Sequence, residues 1–270
     1  MNPKAKSFYP SISEAIGILI VFILLSILFG MLPAIGNLAK NKFFQDLLML
    51  FSYVLAAGGT VLIAIRIKKV QHPDSVLLIN KIPRISTYIL SVILTLAVII
   101  VLEPLNELVT RLLPMPEQMQ QLFNELFSPT FPAFLTAVIA APILEEMIFR
   151  GVILEGFLRN YNPVKAILIV NLMFGLAHLN VWQFVGAFMV GIFISWVYWK
   201  TRSLSLAILI HMVNNMVSYL AIYFSSKPMV ETSLRDFTGS LQVYYFLIGI
   251  SIVLLTLAIV YYKRWMVRSK

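Results

Sequence analysis

The chain contains no cysteine and little charge for its length. Without cysteine, its 270 residues can form no disulfide bond, no thiol nucleophile and no cysteine-ligated metal site. Charged residues make up only 12% of the sequence, whereas a soluble domain has about 25%. Hydrophobic residues reach 60%, and the mean hydropathy is +0.88. These values predict an all-α polytopic membrane protein that forms a single integral membrane domain over residues 1–270.

Three types of hydrolytic site are excluded by what the sequence lacks. No His-Glu-x-x-His zinc helix occurs, and no serine lies in a Gly-x-Ser-x-Gly context. The only aspartates are Asp46, Asp74 and Asp236, all in loops or at predicted helix ends. A catalytic pair of aspartates within the membrane is therefore excluded as well.

Apolar runs predict about eight transmembrane helices, because about 20 apolar residues span a bilayer. The predicted spans are Ser13–Leu32, Phe44–Ile65, Ser86–Leu108, Phe131–Gly156, Pro163–Leu179, Val181–Trp199, Leu204–Phe224 and Leu241–Tyr262. The first run is longer than the apolar part of a signal peptide, so we expect it to be retained.

The loop between the third and fourth spans differs from the others. Its apolar residues recur at helical spacing: Met119, Leu122, Phe123, Leu126 and Phe127. This pattern predicts an amphipathic helix at the membrane interface. We expect a connector that rests on the headgroups, with a gate over a substrate entrance as the alternative.

Loop charges predict the orientation of the bundle. With both termini in the cytoplasm, fifteen of the 21 Lys and Arg residues fall on the cytoplasmic side and five on the opposite side, with Arg150 inside the membrane. This threefold bias agrees with the positive-inside rule. The pI of 9.7 is therefore explained by membrane topology and does not indicate binding to nucleic acid.

Two adjacent glutamates, Glu145 and Glu146, interrupt the apolar sequence of the fourth span. One acidic group at mid-bilayer costs roughly 2.5–3.5 kcal/mol on insertion scales, so two of them need a partner or a function. Arg150 follows Glu146 by one helical turn and can pair with it. Glu145 is rotated by about 100° from Glu146. We expect one carboxylate to be structural and the other, Glu145, to be free for chemistry.

Two further polar clusters lie on the fifth and seventh spans. On the fifth span Asn171, Gly175 and His178 share one helical face, and Phe174 lies beside that face. On the seventh span His211, Asn215 and Ser218 share one face, and Asn214 lies beside it. Taken singly, such residues can hold helices together, at about 0.6 kcal/mol per interhelical hydrogen bond. All three clusters together indicate function, because helix packing needs neither two carboxylates nor two imidazoles. From the predicted helix ends, His211 and His178 lie at depths of about 10 and 20 Å, which do not match.

Two other features are assigned no function. Ala187, Gly191 and Ser195 form a stripe of small residues on the sixth span, a pattern typical of close helix packing. His72 lies in a basic loop beside Pro73, and we expect it to be solvated.

The polar clusters combine into a hydrolytic site. Glu145 with His178 can activate water, since a carboxylate in an apolar site is a good general base. His211 with Asn215 can donate hydrogen bonds to the oxyanion of a tetrahedral intermediate. This set fits hydrolysis of a peptide bond. A zinc site with Glu145, His178 and His211 as ligands is an alternative use of the same atoms.

Two non-enzymatic functions also stay open. The polar residues could hold helices together in a membrane immunity or regulatory scaffold. Alternatively, buried Glu and His side chains could relay protons in a proton-coupled transporter. The sequence shows no inverted repeat of the kind that many transporters have.

The clusters resemble the motifs of the CAAX protease and bacteriocin-processing (CPBP or Abi) family of intramembrane glutamate-type endopeptidases. They read Glu145-Glu146-Met-Ile-Phe-Arg150, Phe174-Gly-Leu-Ala-His178 and His211-Met-Val-Asn-Asn215, in the family's order. The resemblance implies an eight-helix fold with a catalytic helix core at residues 131–224. It implies that Glu145 and His178 activate water and that His211 and Asn215 hold the oxyanion. The supporting residues are Glu146, Arg150, Phe174 and Asn214.

The resemblance also implies the reaction partners. No cofactor is expected, with zinc as the alternative, and the substrate is a membrane-associated protein or peptide cut near the cytoplasmic side of the lipid bilayer. The eukaryotic branch removes the last three residues of prenylated CAAX proteins, and bacterial members act in bacteriocin maturation and self-immunity. Short loops and compact length favour a prokaryotic member, hence an integral protein of the bacterial cell membrane.

Overall fold

A computed structural model describes residues 8–33, 40–76, 78–224 and 233–268 of the chain. Within these residues all regular structure is helical, as the composition predicts. We number the helices in chain order: α1 Ile12–Phe29, α2 Lys42–Gln71, α3 Ile85–Leu112, α4 Glu117–Leu126, α5 residues 131–160, α6 Pro163–Ala177, α7 Val181–Thr201, α8 Leu204–Phe224, α9 Leu234–Thr238 and α10 Leu241–Arg268.

Six helices within the described residues are long and apolar enough to cross a membrane, namely α1, α2, α3, α7, α8 and α10. The other two predicted spans coincide with helices of a different kind. Helix α6 has only 15 residues, and α5 changes its hydrogen-bond pattern along its length. Each predicted span therefore coincides with a helix, whereas the number of eight membrane crossings is not confirmed.

Helix α5 consists of five consecutive segments. They are Phe131–Phe134, Leu135–Ala140, Ala141–Glu146, Met147–Leu154 and Glu155–Asn160. The second and fourth segments are π-helical. In a π-helix each N–H bonds to the carbonyl five residues earlier, and such segments often occur at functional sites. Here they flank the α-helical turn that carries both adjacent glutamates.

One end of the bundle, which we call the basic end, is formed by residues 8–11, 72–76, 78–84, 161–163 and 202–204. The side chain of Asn160 accepts a hydrogen bond from the Phe8 N–H at 2.9 Å and donates to the Phe8 carbonyl at 2.6 Å. The expectation that His72 is merely solvated is wrong. Its Nε2 accepts from the Tyr9 N–H at 3.1 Å, and its ring stacks on Phe8 with centroids 4.4 Å apart.

The opposite end carries α4, and we call it the α4 end. Before α4, Nε1 of Trp182 donates to the Leu113 carbonyl at 2.8 Å. After α4, the Thr130 hydroxyl donates to Oδ2 of Asp46 in α2 at 2.7 Å. Phe123, in the middle of α4, is buried. The predicted amphipathic helix is therefore present, and the chain on each side of it is bonded to the bundle.

Candidate active site

The predicted pair of Glu146 and Arg150 is present. Nη1 of Arg150 lies 2.8 Å from Oε1 of Glu146, and both side chains are fully buried. Burying two charges costs several kcal/mol per ion unless further hydrogen bonds satisfy them. Arg150 makes three such bonds, to Ser195 Oγ at 3.3 Å, Asn171 Oδ1 at 3.0 Å and the Gly191 carbonyl at 3.0 Å. These bonds make Arg150 the centre of a network that joins α5, α6 and α7.

Close approach of α6 and α7 depends on Gly191. A Cβ atom at this position would overlap the Asn171 side chain and lie 3.2 Å from Nη2 of Arg150. The packing predicted for the small-residue stripe is thus confirmed at Gly191. The prediction missed a second role, because Gly191 and Ser195 also supply hydrogen-bond acceptors to the buried arginine.

Glu145 faces away from this network, as the helical rotation predicts. Its Oε1 accepts a hydrogen bond from the hydroxyl of Tyr53 in α2, at 2.6 Å. The Glu145 side chain is 14% exposed, whereas that of Glu146 is fully buried. Glu146 therefore belongs to the buried network, and Glu145 is the carboxylate that a substrate or water can reach.

His211 of α8 joins the two glutamates. Its Nδ1 lies 2.8 Å from Oε1 of Glu146, and its Nε2 lies 3.9 Å from Oε2 of Glu145. Because an ionised carboxylate only accepts hydrogen bonds, the proton of the first contact belongs to Nδ1. Nε2 is then the nitrogen that can act on a bound molecule beside Glu145.

His178 follows the last residue of α6, and its Nδ1 lies 2.9 Å from the Phe174 carbonyl. Since a carbonyl only accepts, Nδ1 carries the proton and Nε2 of the neutral ring presents a lone pair. Among the described residues His178 forms no ion pair with a carboxylate. His211 is the imidazole with a nitrogen within 4.0 Å of the Glu145 carboxylate.

Phe174 holds the two imidazoles near each other. The ring of Phe174 packs edge-on against the rings of His178 and His211, with centroids 5.1 and 5.8 Å apart. The carbon Cζ of Arg150 lies 4.8 Å from the centroid of the same ring. Both histidines thus contact one aromatic ring, although the predicted helix ends put them at depths that differ by about 10 Å.

Asn215 is positioned by an irregularity of α5. The N–H of Ala141 bonds to the Thr136 carbonyl, in the π pattern, and Pro142 has no N–H to offer. The Ala137 carbonyl would accept from Ala141 in an α-helix or from residue 142 in a π-helix, and here it receives neither bond. Nδ2 of Asn215 donates to it instead, at 2.8 Å. An amide NH₂ group has two hydrogens, so the second can donate to a bound molecule.

A cavity of about 530 Å³ adjoins these side chains, which is within the range of about 300–1,000 Å³ for small-molecule sites. Polar side chains of the three clusters line it together with Tyr53: Glu145, His178, His211, Asn214, Asn215 and Ser218. Phe123, Leu126 and Phe127 line it from the apolar side of α4. Helix α4 is therefore part of the cavity wall, as the alternative interpretation of this helix requires.

The arrangement does not fit a metal ion. In the part of the chain that the structure describes, no three His, Asp or Glu side chains are grouped closely enough to hold one. The alternative zinc ligands Glu145, His178 and His211 line one cavity without forming such a group.

Residues 126–217 match a family model described as type II CAAX prenyl endopeptidase Rce1-like. This match supports a relationship of the segment to the CAAX protease family. The match covers about a third of the chain and contains all three motifs of the family. No curated protein and no solved structure matches the chain. The match supports an intramembrane endopeptidase in general, and the long apolar helices support an integral membrane protein.

Tyr53 is a cavity residue that sequence reasoning missed. No motif spacing relates a tyrosine in α2 to a glutamate 92 residues later. A second missed surface is on α3, where Glu103, Asn106 and Thr110 line the cavity. These three polar residues follow one another at i, i+3 and i+7, which places them on one helical face. That spacing was a signal in the sequence that α3 contributes to the site.

Proposed function

We propose that the chain is an intramembrane endopeptidase in which Glu145 is the general base that activates water. The substrate is a peptide bond in a membrane-associated protein or peptide. The observation that carries this proposal is the position of Glu145 in the cavity wall. The Tyr53 hydroxyl bonds to one of its oxygens, and Nε2 of His211 lies 3.9 Å from the other. The match of residues 126–217 to the CAAX prenyl endopeptidase model supports peptide hydrolysis in general.

In the first step Glu145 takes a proton from water while the water oxygen bonds to the carbonyl carbon of the substrate. The π electrons of the C=O bond move to the carbonyl oxygen and form an oxyanion. In the second step the C–N bond breaks, and protonated Glu145 returns its proton to the leaving amine. Water is the sole co-reactant, and the products are a carboxylic acid and an amine. Proton transfer by a positioned side chain contributes about 10²–10⁴-fold to such a rate.

His211 and Asn215 stabilise the oxyanion in this proposal. The free N–H of the Asn215 amide donates one hydrogen bond, and Nε2 of His211, when it carries a proton, donates the other. Glu146 accepts from Nδ1 at 2.8 Å and so fixes the ring orientation. Removal of a single oxyanion donor typically costs about 10²–10³-fold in rate.

His178 orients the attacking water. Its Nδ1–H is held by the Phe174 carbonyl, so the lone pair on Nε2 is free to accept a hydrogen bond from water. Glu145 and His178 line the same cavity, and in this proposal the water lies between them. A fixed water is needed because hydrolysis requires its lone pair to point at the carbonyl carbon.

The test compares the C-termini of membrane proteins in cells that express the wild-type chain or the Glu145→Ala variant. Glu125→Ala is a matched control, since Glu125 is an exposed glutamate of α4. We expect a set of cleaved termini that is present with the wild type and with Glu125→Ala and missing with Glu145→Ala. Identical termini in all three strains would refute the proposal.

A further inference from the structure

The catalytic cluster is closed toward the basic end. Beyond Glu145 and Glu146, helix α5 continues in that direction with large apolar side chains. Five of them are at most 1% exposed: Phe149, Val152, Ile153, Leu154 and Phe157. They belong to one continuous hydrophobic core with residues of α1, α2 and α6. Packed side chains in such a core leave few voids larger than a water molecule, so this core separates the catalytic cluster from the basic end.

The cavity extends from the cluster toward the α4 end. Its wall reaches Thr110 near the last turn of α3, Met115 and Phe127 on either side of α4, and Ser233 just before α9. All of these residues lie at the α4 end, and no residue of the segments that define the basic end lines the cavity. The cavity therefore adjoins the α4 end and not the basic end.

The distribution of charge assigns the two ends to the two sides of the membrane. Of the 21 Lys and Arg residues, fifteen lie in or next to the sequence segments on the side of the basic end, and five lie in the segments on the side of the α4 end. Short cytoplasmic segments carry the excess of Lys and Arg in membrane proteins. The basic end is therefore the cytoplasmic one, and α4 lies at the extracytoplasmic surface.

We propose that the site opens on the extracytoplasmic side and takes a peptide or membrane-protein segment that has already crossed the membrane. This inference rests on the proposed function for the cleavage itself, but the direction of access follows from the cavity and the charges alone. It replaces the expectation that cleavage occurs near the cytoplasmic side of the bilayer. When both termini are cytoplasmic, a cavity that opens at the α4 end excludes cleavage on the cytoplasmic side.

The absence of cysteine from the chain makes a direct test available. Ala221→Cys and Ala187→Cys each place a single thiol in the cavity wall. Asp74→Cys places one on an exposed residue of the basic end and serves as the control. Each variant is treated with a charged, membrane-impermeant thiol reagent, in right-side-out vesicles and in inverted vesicles. All three are combined with Glu145→Gln, so labelling does not depend on catalysis.

We expect the reagent to label Ala221→Cys and Ala187→Cys in right-side-out vesicles and Asp74→Cys in inverted vesicles. Labelling of the cavity thiols only in inverted vesicles overturns the proposal. The proposal is also overturned if the reagent does not label Ala221→Cys in right-side-out vesicles, regardless of the vesicle orientation in which Asp74→Cys is labelled. The failure of the proposed function is a separate result, namely unchanged cleavage by the Glu145→Gln variant together with the expected labelling.

Discussion

The hydroxyl of Tyr53 donates a hydrogen bond to Oε1 of Glu145, with 2.6 Å between the two oxygens. The bond crosses from α2 to α5 and joins residues 92 positions apart. It occupies one carboxylate oxygen and leaves the other, Oε2, on the side of His211. Tyr53 thereby selects the oxygen of Glu145 that meets a water molecule, which makes it a positioning residue in the proposed reaction.

Replacing Tyr53 by phenylalanine is expected to lower kcat with little change in KM. The ring that packs between α2 and α5 stays, whereas the hydrogen bond to the carboxylate is lost. A bond to a charged group contributes about 1.5–3 kcal/mol, which corresponds to about 10–100-fold in rate. Tyr88→Phe is the control, because its hydroxyl bonds to Ser205 outside the cavity wall. Equal kcat for the two variants and the wild type would remove the positioning role.

Replacing Arg150 by methionine is expected to destabilise the protein strongly, because it leaves the fully buried Glu146 without its cation. Breaking a buried pair in this way typically costs about 3–5 kcal/mol. The double variant with Glu146→Gln and Arg150→Met lacks the uncompensated charge of Glu146, so much of the stability should return. Thermal unfolding in detergent measures both effects. If the single variant is as stable as the double variant, the network around Arg150 does not act as described.

Replacing Pro142 by alanine is expected to lower the cleavage rate about fivefold through Asn215. The new N–H competes for the Ala137 carbonyl that anchors the Asn215 amide at 2.8 Å, and one such bond contributes about 1 kcal/mol. A double-mutant cycle separates this effect from a general change in α5. In an Asn215→Ala background, Pro142→Ala should have no further effect on rate. Additive losses would show that Pro142 acts by another route.

Much of the buried network was predictable because it follows from helical spacing. Glu146 and Arg150 are one turn apart, and charges in an apolar helix must pair, so this contact could be derived before any coordinates. The same rotation separates Glu145 from Glu146. Gly191 was predicted to allow close packing, and it does.

The remaining contacts depend on how helices are placed relative to one another, which spacing along one helix does not encode. Tyr53 reaches Glu145 because α2 packs beside α5. His211 contacts both glutamates because α8 crosses the turn that carries them. His178, His211 and Asn215 line the same cavity as Glu145, but spacing along one helix does not reveal which imidazole lies beside which carboxylate.

Two departures from the predicted fold have local causes. Helix α5 contains π-helical segments, and apolar periodicity over a few residues does not distinguish these from α-helix. His72 was expected in solvent because it lies in a basic loop. It is instead half-buried under the N-terminal segment, where the Tyr9 N–H bonds to it.

The most direct test of the central claim is the rate of peptide hydrolysis by the purified Glu145→Gln variant in liposomes. The substrate is a peptide that spans a bond found in the comparison of C-termini, and Glu125→Gln is the matched control. The near-isosteric change should keep the fold and the Tyr53 contact, so unfolding temperatures should match. The account predicts a loss of about 10²–10⁴-fold in kcat for Glu145→Gln and none for Glu125→Gln. Cleavage at the wild-type rate by Glu145→Gln would contradict it and would favour a protein whose polar residues only hold its helices together.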